Sequence, residues 1–149
     1  MDEKQFKATY SEVNGLPCAF AKAILTRCCR CERSQRLYIA EREAVACKSP
    51  GAHQQCTEVL EAFRRKALFA LRMTHLEEKL PHGKEIKVQC GGVLGLKSAL
   101  NPDGEDQPDI HATIERSMRV YGEINAFPYT EIVKHITTYK ARKGRKSAK

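Results

Sequence analysis

Apolar residues recur at helical spacing along most of this chain, and the segment that follows Ser49 shows the pattern most clearly. Ser49 is a typical N-cap, and Pro50 is a typical first helical residue because that position needs no amide hydrogen. The apolar face that follows contains Val59, Leu60, Phe63, Ala67, Phe69 and Leu71. We expect this segment to be the longest helix and to end near residues 74–75.

Four further helices are predicted with less pronounced patterns. Asn14-Gly15-Leu16 leads into a helix that we expect to run from Pro17 to about Cys31, and a second helix is predicted over residues 35–47. Asp109 and Pro128 are residue types that commonly begin a helix, and each precedes apolar residues at helical spacing.

One short segment departs from the helical pattern. Residues 85–90 alternate between polar and apolar side chains, which predicts a small strand that ends at Gly91-Gly92. The chain therefore predicts a mainly α fold: a single compact helical domain of five to six helices over residues 1–138, with a minor β element near residues 85–90.

Composition agrees with a globular protein, since 42% of the residues are hydrophobic and 30% are charged. The net charge of +8 is concentrated at the C-terminal end. Six of the 26 basic residues lie in the last ten positions, and without them 20 basic residues face 18 acidic ones. We treat residues 139–149 as a basic tail that can bind phosphate groups or an acidic protein.

The chain has no stretch that approaches the roughly 20 apolar residues of a membrane span. Its first residues also lack the basic and apolar regions of a secretory signal. We therefore expect a cytoplasmic protein, in which thiols stay reduced. The seven cysteines are an odd number, which does not suit a complete disulfide framework.

Five of the seven cysteines lie within 29 residues, and this is the most chemically specific feature of the sequence. Cys28, Cys31, Cys47 and Cys56 have the spacing C-x2-C-x15-C-x8-C, with Cys29 as an additional thiol. Four thiolates are the ligand set of a zinc ion or of an iron–sulfur cluster.

The predicted helices indicate how these thiols would meet. Cys28 and Cys31 would lie on one helical face about 5–6 Å apart. Cys47 precedes a break in the chain and Cys56 follows it, so a turn would bring both back toward the first pair. In a continuous first helix Cys18 would lie about 15 Å from Cys28, which is too far for one small centre.

Cys90 is a further candidate ligand. It stands beside Gly91-Gly92, and glycines allow the backbone to approach a centre closely and to donate N–H groups to sulfur. The predicted metal ligands are therefore drawn from Cys28, Cys29, Cys31, Cys47, Cys56 and Cys90.

An iron–sulfur cluster, of the 4Fe-4S type, is the cofactor that this spacing favours. Structural zinc sites usually contain two closely spaced ligand pairs, whereas cluster ligands tolerate irregular spacing. Zinc remains an alternative if His53 and Cys56 form a second pair. A third alternative is that these cysteines are buried without a metal, since free cysteines often pack as small apolar residues.

An arginine stripe accompanies the cysteines. Arg27, Arg30, Arg33 and Arg36 recur every third residue, so on a helix they would lie along one side. The first three would offset the negative charge of a cluster and dock a redox or acceptor protein. The same stripe, together with the basic tail, could contact nucleic-acid phosphates, or it could be a solvated surface.

These observations lead to two functional hypotheses. The first is a small iron–sulfur protein in electron transfer, redox sensing or cluster delivery. The second is a zinc-stabilised regulator that binds nucleic acid. An enzyme that uses Cys29 or Cys90 as a nucleophile is less well supported, because the spacing identifies no base beside either thiol.

Overall fold

The computed structural model describes residues 3–5, 15–72, 80–104 and 106–140. Most of the elements in these ranges are helical, as predicted. After a helical stretch at residues 3–5, they are, in order: α1 (Ala21–Leu25), β1 (Ser34–Ile39), β2 (Arg42–Cys47), α2 (Pro50–Ala67), α3 (His82–Ile86), a π-helix (Lys87–Gly91), α4 (Gly92–Leu100), α5 (Ile110–Tyr121), a 3₁₀-helix (Ile124–Ala126) and α6 (Tyr129–Thr138).

Three predicted helix starts are confirmed. Ser49 caps α2, with its hydroxyl accepting from the Ala52 N–H at 3.2 Å. Asp109 caps α5 through the Ala112 N–H at 3.0 Å, and α6 begins directly after Pro128. Helix α2 ends at Ala67, earlier than the predicted 74–75, and residues 73–79 lie outside the described ranges.

The prediction of one helix from Pro17 to about Cys31 is wrong. Pro17 instead forms an isolated antiparallel bridge with Ala46, and α1 spans only Ala21–Leu25. The chain then leaves the helix at Arg27, whose φ of 67° lies in the left-handed region. A left-handed residue ends an α-helix, so Cys28 and Cys31 do not share a helical face.

The predicted helix over residues 35–47 is an antiparallel hairpin, whose paired residues run from Ser34↔Cys47 to Ile39↔Arg42. Its two turn residues, Ala40 and Glu41, have φ values of 52° and 70°. Such turns usually contain asparagine or glycine, because other residues pay a steric cost in this conformation. The sequence lacks that signal, and its apolar residues happen to recur at helical spacing.

The predicted strand near residues 85–90 is also wrong, since these residues belong to α3 and the π-helix. Their alternation of polar and apolar residues does not match exposure. Glu85 and Gln89 are buried together with Val88 and Cys90, so all sides of this segment face other parts of the protein. A short segment that is buried all round cannot be assigned from periodicity alone.

Glycines bring this buried segment against α6. A Cβ atom on Gly91 would lie 2.5 Å from the Ile136 Cα, and one on Gly95 would lie 2.9 Å from the Ile132 Cα. Gly92 meets the Phe63 ring of α2 in the same way. Gly91 and Gly92 therefore serve helix packing, instead of the close approach to a metal centre that the sequence suggested.

In the described part of the chain, every helix is too short or too polar to cross a lipid bilayer. Most of the basic tail, residues 141–149, lies outside the described ranges, as does most of the segment before residue 15.

Candidate metal centre

Four cysteines from four separate segments line one cavity: Cys18, Cys31, Cys47 and Cys56. Cys18 precedes α1, Cys31 precedes β1, Cys47 ends β2 and Cys56 lies in the second turn of α2. Their spacing in the sequence is C-x12-C-x15-C-x8-C. Three of the four match the predicted ligand set, and Cys18 replaces Cys28.

The open end of the hairpin holds three of these cysteines in place. Its register ends at the Ser34↔Cys47 pair, three residues after Cys31. The Ser34 hydroxyl donates to the Cys31 carbonyl at 2.7 Å and thereby closes the turn between them. The Cys18 N–H donates to the Val45 carbonyl at 3.0 Å, so the segment before α1 lies beside β2.

Helix α5 contributes a second fixed point, because its N-terminus is bonded to the segment around Cys31. The Ile110 N–H donates to the Arg30 carbonyl at 2.7 Å, and the Asp109 carboxylate accepts the Glu32 N–H at 2.8 Å. Hydrogen bonds at Arg30 and at Glu32, the residues before and after Cys31, therefore fix the position of Cys31. Burial raises the pKa of the Cys31 thiol, and the nearby backbone N–H groups of Arg33 and His111 act in the opposite direction; His111 lies in the first turn of α5.

These N–H groups are the donors that a metal-bound thiolate requires. Backbone donors and a helix N-terminus both favour negative charge on sulfur. The Phe20 N–H partly offsets the rise that burial causes in the pKa of Cys18, as the Arg33 N–H does for Cys31, and each N–H lies two residues further on in the chain.

Burial, however, favours the protonated form of three of these thiols, those of Cys18, Cys31 and Cys56. Burial raises the pKa of Cys18 and of Cys56 to about 12, and it also raises the pKa of Cys31. The neighbouring thiols add to this effect, since Cys18, Cys31 and Cys47 each raise the pKa of Cys56. The four sulfurs are thus close enough to interact electrostatically. A bound cation would instead lower the pKa values of the thiols and favour the thiolate form.

The cavity itself is small and mainly apolar. The space between the lining atoms is about 330 Å³ when the opening to solvent is included, but only about 10 Å³ of it can hold water. That is room for about one water molecule. Besides the cysteines, the lining residues are Ala19, Phe20, Arg33, Ser34, Ala52, His53, Ile110 and His111.

The remaining predicted ligands lie elsewhere. Cys28 and Cys90 form a disulfide in the core, and the Cys29 sulfur lies 3.6 Å from that of Cys28. None of these three residues lines the cavity of the other four cysteines. The expectation that all thiols are reduced is therefore wrong for the Cys28–Cys90 pair.

The predicted arginines are dispersed, because the helix that would have aligned them ends at Leu25. Arg33 lines the cavity. Arg30 pairs with Asp109 at 3.5 Å, Arg36 pairs with Glu43 across the hairpin, and Arg27 occupies the turn after α1. Of the three arginines predicted to accompany the centre, Arg33 is the one beside the four thiols.

Sequence reasoning missed Cys18, His111 and the contribution of α5. Pro17 could have indicated the position of Cys18. Proline also occurs at strand edges, where no backbone N–H is needed, so Pro17 did not have to begin a helix. No local signal indicated His111, which reaches the cavity through a contact between segments about 80 residues apart in the chain.

Within the described ranges, no group of three or more His, Cys, Asp or Glu side chains is arranged to hold a metal ion. The search for similar proteins finds no match to a protein-family model, to a curated protein or to a solved structure.

Proposed function

We propose that this chain is a small iron–sulfur protein whose cluster, of the 4Fe-4S type, is bound by Cys18, Cys31, Cys47 and Cys56, and that it transfers electrons. The observation that carries the proposal is that these four thiols, distant in sequence, line one cavity. A bound cluster would supply a one-electron couple at this position.

The spacing of the ligands favours a cluster over a single zinc ion. The four cysteines are separated by 12, 15 and 8 residues, so none belongs to the short pairs that are typical of structural zinc sites. Zinc–sulfur bonds of about 2.3 Å also require four sulfurs within about 3.8 Å of one another. A cluster contains several metal and sulfide atoms and therefore holds its thiolates further apart.

The surroundings suit a centre with negative charge. Phe20 and Ile110 provide an apolar wall, Arg33 provides a positive charge, and nearby backbone N–H groups favour negative charge on the sulfurs of Cys18 and Cys31. Burial, hydrogen bonds to sulfur and nearby charge are the factors that set a cluster's reduction potential. Three of the four cysteines are only partly buried, which leaves the centre near the surface for electron exchange.

The cavity is smaller than a cluster. Assembly of the cluster therefore requires the lining segments to move apart. The segments that carry Cys18 and Cys31 are irregular, whereas Cys56 is fixed within the 18-residue helix α2. We expect the adjustment to occur mainly in the irregular segments, while α2 stays in place.

The experiment is anaerobic reconstitution with iron and sulfide, followed by assays for iron, acid-labile sulfide and zinc. We expect iron and sulfide in equal amounts and a visible absorption band that bleaches on reduction with dithionite. Cys18→Ser and Cys56→Ser should each lose the cluster. Cys29→Ser is the matched control, because it removes a buried thiol outside the cavity.

Two results would contradict the proposal. One is a wild-type protein that takes up no iron or sulfide. The other is a Cys29→Ser variant that loses the cluster while Cys18→Ser keeps it.

Zinc is the second candidate, and His53 is the observation in its favour. His53 lines the same cavity, and its Nε2 donates to the Pro17 carbonyl at 2.8 Å, so Nδ1 is the ring nitrogen that remains for a metal. Such a bond is characteristic of histidine ligands. Stoichiometric zinc without sulfide, together with nucleic-acid binding that weakens steeply with salt, would support this candidate instead.

A further inference from the structure

A second cleft, separate from the thiol cavity, lies between the end of α4 and the first half of α5. Its volume is about 330 Å³, which falls within the range of about 300–1,000 Å³ that is typical of small-molecule sites. The segment around Cys31 separates the two spaces, because Arg30 and Glu32 line the cleft whereas Cys31 lines the thiol cavity. The cleft therefore does not depend on a metal at the four thiols.

Two helical faces form opposite walls of this cleft. Lys97 lies in the last turn of α4, and Asn101 follows four residues later at the end of the helix, so both lie on the same side. Ala112, Thr113 and Arg116 share one side of α5 through the same kind of spacing. Because alanine has a small side chain, Ala112 leaves the space between the two walls open.

Three cationic side chains from three separate segments line the cleft: Arg30, Lys97 and Arg116. Arg30 has a carboxylate partner, since it pairs with Asp109 at 3.5 Å. Within residues 3–5, 15–72, 80–104 and 106–140, no carboxylate lies at ion-pair distance from Lys97 or Arg116. Like charges around one cleft repel each other, and a bound anion would relieve this repulsion.

Two carboxylates also line the cleft, but they do not neutralise these two cations. The Asp109 carboxylate accepts the Ala112 N–H at 3.0 Å and the Glu32 N–H at 2.8 Å, and it pairs with Arg30. The Glu32 side chain is 62% exposed, so solvent screens its charge. The lining therefore keeps an excess of positive charge on the side of Lys97 and Arg116.

We propose that this cleft binds a small phosphomonoester, with its phosphate group between Lys97 and Arg116. A phosphomonoester carries nearly two negative charges at pH 7, which matches the two cations. A guanidinium group donates paired N–H groups to phosphate oxygens, and a lysine ammonium adds a compact positive charge. A bare phosphate ion would fill only part of this volume, so the remaining space holds the organic part of the ester.

The experiment is calorimetric titration of the full chain with glycerol 3-phosphate and, separately, with inorganic phosphate at the same ionic strength. We expect saturable binding, with a higher affinity for the ester. Lys97→Gln and Arg116→Gln should each weaken the binding of glycerol 3-phosphate by about tenfold or more, because each removes a charge-assisted contact. Arg119→Gln is the matched control, since Arg119 is exposed on the same helix but does not line the cleft.

Glu32→Gln provides a test with the opposite sign. It removes a negative charge from the lining, so it should tighten the binding of glycerol 3-phosphate by about two- to fivefold. A misfolded variant could not show this gain.

Four results would overturn the proposal. They are a wild-type protein that binds neither probe, an affinity for inorganic phosphate that equals or exceeds that for the ester, an Arg119→Gln variant that loses as much affinity as Arg116→Gln, and weaker binding by Glu32→Gln.

Discussion

At the scale of single residues, Gln89 shows how this protein satisfies polar groups in its core. The Gln89 carbonyl oxygen accepts the Ala23 N–H at 3.0 Å, and its amide donates to Glu85 at 2.7 Å. Glu85 in turn accepts two hydrogen bonds from Arg64. The network joins α1, α2 and the π-helix, and a partly satisfied network would be costlier than an apolar one.

Replacement of Gln89 by leucine should therefore destabilise the protein. The change leaves the Ala23 N–H without its partner and removes one donor to Glu85, so we expect a loss of about 1–3 kcal/mol in the free energy of unfolding. Urea unfolding followed by circular dichroism measures this loss.

The matched control is Gln54→Leu. Gln54 is exposed on α2 and bonds only to Glu58, so this change should alter the stability by less than about 0.5 kcal/mol. Equal stabilities of the two variants would contradict the assigned role of Gln89.

At the scale of elements, the contact between the π-helix, α4 and α6 depends on glycine. The distance of 2.5 Å from a Gly91 Cβ to the Ile136 Cα involves backbone, which cannot rotate away as a flexible side chain can. The π-helix places one extra residue in the turn that meets α6.

We predict that Gly91→Ala destabilises the protein by about 1–3 kcal/mol or more, because the added methyl group forces α6 outward. Gly51→Ala is the control, since a Cβ there meets nothing within 4 Å. Alanine also favours a helix over glycine, so this control should be neutral or more stable by up to about 1 kcal/mol. Thermal unfolding of both variants distinguishes the two effects, and a stable Gly91→Ala protein would refute the packing argument.

At the scale of the whole molecule, the fold buries thiols that ionise more easily in the unfolded chain. Burial raises the pKa of Cys18, Cys29 and Cys56 to about 12, from an ordinary value of 9.0. Below pH 9 these thiols are protonated in both the folded and the unfolded chain, so they do not make the folding equilibrium depend on pH. Between about pH 9 and 12 the unfolded chain loses their protons while the folded protein keeps them, so folding becomes less favourable.

The metal-free protein should therefore lose stability as the pH rises above 9. Cys29 alone would contribute up to about 1.4 kcal/mol per pH unit in this interval. The measurement is urea unfolding under reducing conditions between about pH 7 and 10.5. Cys29→Ala should show a shallower decline than the wild type, whatever its stability at neutral pH. Identical slopes would show that the Cys29 thiol ionises normally.

Local chemistry determined several features of this protein from the sequence alone. A hydroxyl or carboxylate next to a helix start needs only its own neighbours in the chain, so Ser49 and Asp109 could be recognised as caps. The apolar face of α2 repeats often enough to exclude a strand. The concentration of cysteines also indicated a metal site, because the number of cysteines in a segment can be read from the sequence without knowledge of the fold.

The tertiary structure decided which thiols meet. The turn at Ala40 and Glu41 reverses the chain without a glycine or asparagine, and the resulting hairpin places Cys31 and Cys47 at one end. The late start of α1 at Ala21 allows Cys18 to lie beside β2, and its early end at Leu25 allows Cys28 to turn into the core toward Cys90. These choices depend on contacts between distant segments, and such contacts leave no periodic trace in the sequence.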